Sequence, residues 1–384
     1  MFREKTGNNG NTGRVVVLAC AVMGLVAQTP PAGQRQQQVP PHPPMSIEDY
    51  KPRSTLVVPE HPVARAKYPF IDVHNHPNTL MPADQLDKMV KDMDRINLQV
   101  MVDLSGGYGD RLEKGVRNMK GRYPKRFVVF ANIDFTNLDD PGYSKRAAAQ
   151  LERDVKNGAQ GLKIFKPFGM DQKDSKGQRI HVDDPRFNEV FETCGRLHIP
   201  VLIHTAEPWS FFQPIDQYNE RWLELVTHPG RARPPDKFPS WETLMEEQHH
   251  MFAMHPNTTF IDAHLGWLGN NLAELGKLLD RLPNVNTEVA AVLYDLGRQP
   301  RFAREFMIKY QDRVMFGKDT WAPDEYLTYF RVFETADEYF DYYRKYHAFW
   351  QMYGLDLPDE VLKKLYYKNA LRVIPGIDPS PFPQ

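Results

Sequence analysis

The chain has 384 residues, 41% hydrophobic and 25% charged, which is enough to bury a full core as one barrel-sized domain. The formal net charge of -1 comes with no long block of like charges, so a nucleic-acid surface is excluded and a small-molecule partner is expected. The two cysteines, Cys20 and Cys194, allow neither a disulfide framework nor a cysteine-based zinc site.

Arg3, Lys5 and Arg14 precede the apolar run "VVVLACAVMGLVA" from Val15 to Ala27. This is the pattern of a secretory signal peptide over residues 1–27, cut after Ala27, although Leu25 fits poorly at the third position before the cut. The run is shorter than the roughly 20 residues needed to span a bilayer, so export to the periplasm or the extracellular space is expected, with no membrane contact beyond the export signal. Cys20 in "VLAC" is a weaker alternative, as a lipid-anchoring site. The stretch "TPPAGQRQQQVPPHPP" cannot form a packed core. Residues 28–66 therefore read as a Pro/Gln-rich linker and arm, and residues 67–384 as the folded domain.

From Phe70 onward, eight short apolar, β-branched-rich runs alternate with amphipathic stretches. They are "FIDVHNH", "LQVMVDLS", "FVVFANID", "GLKIFKPF", "PVLIHTAEP", "TTFIDAHLG", "VNTEVAAV" and "RVMFGKDT". Helical patterns between them include 83–96, 147–157, 185–197, 241–254 and 272–282. Eight such units predict an α/β fold, a (β/α)8 TIM barrel, rather than a doubly wound sheet. The segment 337–354 and the helical pattern "PDEVLKKLYYKNALRVI" would cover the outside and one end.

His74 and His76 are two residues apart on the first strand, so both imidazoles face the same side. His204 ends the fifth run, His264 the sixth and Asp319 the eighth, and a closed barrel brings all five to its carboxyl-end mouth. Three imidazoles and a carboxylate suit zinc first, with iron or manganese as alternatives. A non-catalytic binding protein would lack one of these ligand types, and none is missing.

At these residues the sequence resembles the amidohydrolase superfamily, specifically the amidohydrolase-related branch that includes aminocarboxymuconate semialdehyde decarboxylase. The resemblance runs from about Lys67 to Val373 and rests on "IDVHNHP", "GLKIF", "DDPRFNEVFETCGRLHIPVLIHTAEP", "HPNTTFIDAHLG", "RVMFGKDT" and "LYYKNALRV". It implies that His74, His76, His204 and Asp319 hold one divalent metal, with His264 off the metal, against bound water or substrate. Asp319 and His264 would then be the catalytic pair. In binuclear relatives a carboxylated lysine bridges two metals, a role that Lys163 could take. The family usually has serine where Lys318 stands; this lysine would either tune Asp319, bind an anion or point into the barrel wall.

The expected chemistry is hydrolysis of an amide, ester or lactone by activated water, with non-oxidative decarboxylation as the alternative. Trp209, Trp267 and Trp321 on mouth loops suit an aromatic ligand, and Arg298 could clamp a carboxylate, its bland alternative being a salt bridge. His181, His198, His249, His250 and His255 read as structural or solvated. A homo-oligomer is compatible with all of this.

Overall fold

The first strand, β1 (Phe70–Asn75), is buried along its whole length, as a parallel strand covered on both faces must be. It pairs in parallel with β2 (Leu98–Asp103), which pairs with β3 (Phe127–Val129). The computed structural model from which this architecture is read describes residues 43–347 and 350–383. The expected signal peptide and linker residues up to 42 lie outside them.

The chain divides into two units, Met1–Tyr50 and Lys51–Gln384. In the first, Ser46 Oγ donates to Asp49 Oδ2 at 2.9 Å, closing a turn. The second holds the barrel. Its third strand changes neighbour at Phe130: β3 bonds to β2, whereas the short β4 (Ala131–Asn132) bonds to β5 (Leu162–Ile164). The ladder continues through β6 (Val201–Ile203), β7 (Phe260–Asp262), β8 (Val285–Glu288) and β9 (Val314–Met315), all parallel. Val73 N donates to Phe316 O at 3.0 Å and Asn75 bridges to Asp319, so the last strand returns to the first and the eightfold barrel closes.

An aromatic cluster ties this seam together. The Phe70 ring lies 4.9 Å from Phe316 and 5.4 Å from Phe330, both edge-on. It fixes the two strands that carry His74 and Asp319.

The helices follow the apolar spacing. In Ala83–Ile96, Leu86, Met89, Val90, Met93 and Ile96 form one buried stripe, and the helix ends at Asn97 in the left-handed conformation. Helices Trp241–Met254 and Leu272–Arg281 match their expected bounds within one residue. Segment 337–354 contains a small antiparallel pair, Phe340–Asp341 with Gln351–Met352. Among the described residues, no helix is long and apolar enough to cross a membrane.

Candidate metal centre and cleft

The end of β1 and the residue after it deliver His74 and His76 to one point, with their Nε2 atoms 3.2 Å apart. Asp319 Oδ1 lies 3.3 Å from His74 Nε2 and 3.7 Å from His76 Nε2. The outer nitrogens show which way the protons point. His74 Nδ1 lies 2.9 Å from Glu288 Oε1, and an ionised carboxylate can only accept, so the ring proton is on that side. His76 Nδ1 meets Ser105 Oγ at 3.2 Å. Two imidazole Nε2 atoms and a carboxylate oxygen therefore converge on one point, an arrangement that suits a cation.

The surrounding carboxylates attract positive charge to this point. Burial and Lys163 push the His74 pKa down, but Glu288 and Asp319 together hold it above the ordinary value. Burial and the neighbouring His74 lower His76 to about 2. Burial opposes ionisation of Asp319, but His74 outweighs it and holds the carboxyl well below its usual range.

His204 and His264 form a second pair beside the first. His264 Nδ1 donates to Ala290 O at 2.8 Å, leaving its Nε2 to face His204 Nδ1 at 3.2 Å. With that contact made, His204 Nε2 is buried without a partner, as a nitrogen awaiting a metal would be. The donor set thus fits a divalent ion held by His74, His76 and Asp319; His204 is not part of that close group.

The backbone that presents His264 is unusual. His264, Leu265, Gly266 and Trp267 have φ of 60°, 55°, 59° and 53°, a left-handed turn that costs roughly 1–2 kcal/mol for each non-glycine residue. Gly266 is required here, because a Cβ would lie 2.3 Å from Asp262 Oδ2. The turn stacks the Trp267 indole on the His264 imidazole at 4.6 Å. Asp319 is also left-handed, with φ of 81°. Strain of this kind collects at functional sites.

The amidohydrolase family profile matches residues 71–376. The chain belongs to the amidohydrolase family. No curated protein matches. Among solved structures, a TIM-barrel protein of Bordetella bronchiseptica is 17% identical with a TM-score of 0.50, over 79% of this chain and 97% of that one. A 2,6-dihydroxybenzoate decarboxylase is 16% identical with a TM-score of 0.47, over 80% and 99%. The 4-oxalomesaconate hydratase of Rhodopseudomonas palustris is 16% identical with a TM-score of 0.46, over 80% and 95%. These similarities concern fold; they do not assign a reaction.

Within this amidohydrolase barrel, Glu288 is the residue sequence reasoning missed. Fully buried at the end of β8, it takes the His74 ring proton and the backbone N–H of His264 at 2.7 Å, and also accepts from Ala290 N at 2.5 Å. The signal was a lone carboxylate in the apolar run "VNTEVAAV". Lys163 reaches the same interior: its Nζ is buried without a partner, and burial lowers its pKa to about 7 against the pull of Asp319 and Glu288. Lys318 points into the wall, where Nζ meets Glu325 at 2.6 Å among the Tyr326, Tyr329 and Tyr343 rings.

The expected substrate residues separate. Trp209, Trp267 and Arg298 line a cleft of about 670 Å³, in which Trp267 is the wall shared with the histidines. Trp321 does not line it and packs on Tyr326 at 5.6 Å. Arg298 is engaged by Glu220 and Asp295, each at 2.9 Å, as in a salt bridge. Elsewhere, His181, Asp183 and Glu247 approach one another, but Arg179 already takes both Glu247 oxygens.

Proposed function

We propose that this amidohydrolase-family enzyme is a hydrolase that activates water with one divalent metal, zinc in the first instance, to cleave an amide, ester or lactone of a small ring-bearing molecule. The observation that carries the reading is the convergence of two imidazole Nε2 atoms and the Asp319 carboxylate, with the His74 Nδ1 proton turned outward to Glu288. A divalent ion bound there polarises a carbonyl and lowers the pKa of water toward neutrality. The chain supplies the rest. Glu288 holds His74 in the tautomer that points Nε2 inward. Asp319 is ionised at neutral pH and over a quarter exposed, so it can take a proton from the attacking water and return it to the leaving group. His264, fixed by Ala290 O and stacked under Trp267, keeps His204 in place.

Decarboxylation would need a carboxylate-bearing substrate, and the occupied edges of Arg298 weigh against it. The test is a panel of aryl esters, anilides and lactones beside phenolic acids. Hydrolysis that a chelator abolishes and zinc restores supports the reading; carbon dioxide release from the acids, with no hydrolysis, overturns it.

One metal is expected rather than two. His264→Asn should keep the wild-type metal equivalent while turnover falls about 10²- to 10⁴-fold. A fall from two equivalents to one, in that variant or in Lys163→Ala, would establish a lysine-bridged pair instead. Export through the leader at residues 1–27 belongs to the same proposal, and cell fractionation checks it.

A further inference from the structure

The cleft beside the metal centre has a charge character of its own. A guanidinium offers a carboxylate two bidentate edges, Nη1 with Nη2 and Nε with Nη2. In Arg298 both are taken. Nη1 and Nη2 donate to Glu220 at 2.9 and 3.5 Å, while Nε donates to Tyr294 O at 3.1 Å and Nη2 to Asp295 at 2.9 Å. One face of the group is covered by Trp350 at 3.9 Å. Arg221, the other cation of the lining, gives Nε and Nη2 to Glu224 and stands 4.5 Å from the Tyr294 ring.

The acids are not all matched in return. Asp216 lines the same cleft and has no cationic partner among the described residues. The remaining lining is aromatic or neutral and polar: Trp209 and Trp267 offer ring faces, and the Gln213 and Asn270 side chains make no hydrogen bond within the described residues.

We propose that this cleft receives the substrate of the hydrolase proposed above, and that it selects an uncharged ring bearing hydroxyl or amide groups and rejects anions. The inference rests on that hydrolase reading for its site, but not on turnover for its test. A ring stacks on indole without desolvating a charge, and its polar substituents meet Gln213, Asn270 and Asp216. An anion would face Asp216, with both edges of Arg298 taken and Arg221 held by Glu224 and His347.

The probes are three benzamides carrying a para methylsulfonyl, sulfonate or aminomethyl group, titrated calorimetrically into the metal-loaded full chain. Sulfonate is chosen because it ligates divalent metals weakly. The neutral benzamide should bind at least about tenfold more tightly than the sulfonate, and Glu220→Gln, which frees one edge of Arg298, should improve sulfonate binding by about tenfold, the scale of one charge-assisted bond. Glu220 is half exposed, so the variant is expected to fold. Sulfonate binding as tight as the neutral probe, no gain in Glu220→Gln, or no binding by any of the three would overturn the proposal. So would sulfonate capture at Lys166, which shares Glu207 with Arg233; Lys166→Ala would reveal it by abolishing that binding. Binding of the neutral probe as expected, with no hydrolysis of any ester, anilide or lactone in the panel above, would leave the cleft's charge preference standing and sink the hydrolase reading.

Discussion

The metal centre and the cleft meet at Trp267, yet they are built on different terms. The donors at the centre are set by strand geometry: His74 and His76 converge because β1 repeats every two residues, and the closing seam between β1 and Phe316 brings Asp319 to them. The cleft is assembled from loops whose charges are spent on one another, as in the Glu220–Arg298–Asp295 chain. Strand positions therefore announce their chemistry in the sequence, and loop charges do not until their partners are known.

The comparison can be broken most severely at His74. His74→Ala should lose nearly all bound metal and all turnover, read by elemental analysis and assay; full metal with full activity would mean that the centre lies elsewhere. Glu288→Gln should weaken metal binding by about 10- to 100-fold, because the ring of His74 loses the acceptor that fixes its tautomer. In the cleft, Arg298→Ala should leave metal content unchanged while lowering stability by about 1–3 kcal/mol, since buried Asp295 is left unpaired. Metal loss in that variant would show that the two regions are one energetic unit.

A pH trend tests the barrel interior apart from both regions. Burial raises Asp262 to about 8, with Gln248 only partly relieving it. The folded state thus holds a proton that the unfolded chain releases near pH 4, and wild-type stability falls as pH rises between those values, by up to about 1.4 kcal/mol per unit. Asp262→Asn lacks this loss, so its melting temperature should gain on the wild type from pH 5 to 8 and level off above. A constant difference would refute the assignment.

Much of the barrel was legible because its strands are apolar runs bounded by turns, and its helices carry apolar residues at helical spacing. The interrupted third strand was not: "FVVFANID" has no break in pattern, and only the change of neighbour at Phe130 divides it. Glu288 escaped notice because one carboxylate in an apolar run resembles a loop residue until three donors are found around it. Arg298 was visible as a cation near the mouth, but its partner Glu220 lies 78 positions away. Trp321 follows Asp319 closely in sequence, yet the left-handed backbone at Asp319 intervenes, and the indole packs on Tyr326 rather than in the cleft.

The stack of Trp267 on His264 also bears on how such an enzyme could acquire new substrates. One left-handed turn sets both rings, and Gly266 within it has no room for a side chain. Changes on that wall would disturb the imidazole pair together with the pocket, so adaptation by small steps is closed there. The opposite bank, from Trp209 to Arg221, shares no backbone with the metal donors beyond His204, and Trp209 and Tyr218 on it are open to solvent. Lineages diversifying from this scaffold should accumulate their differences on that bank, and laboratory selection for altered substrates should find its first gains there.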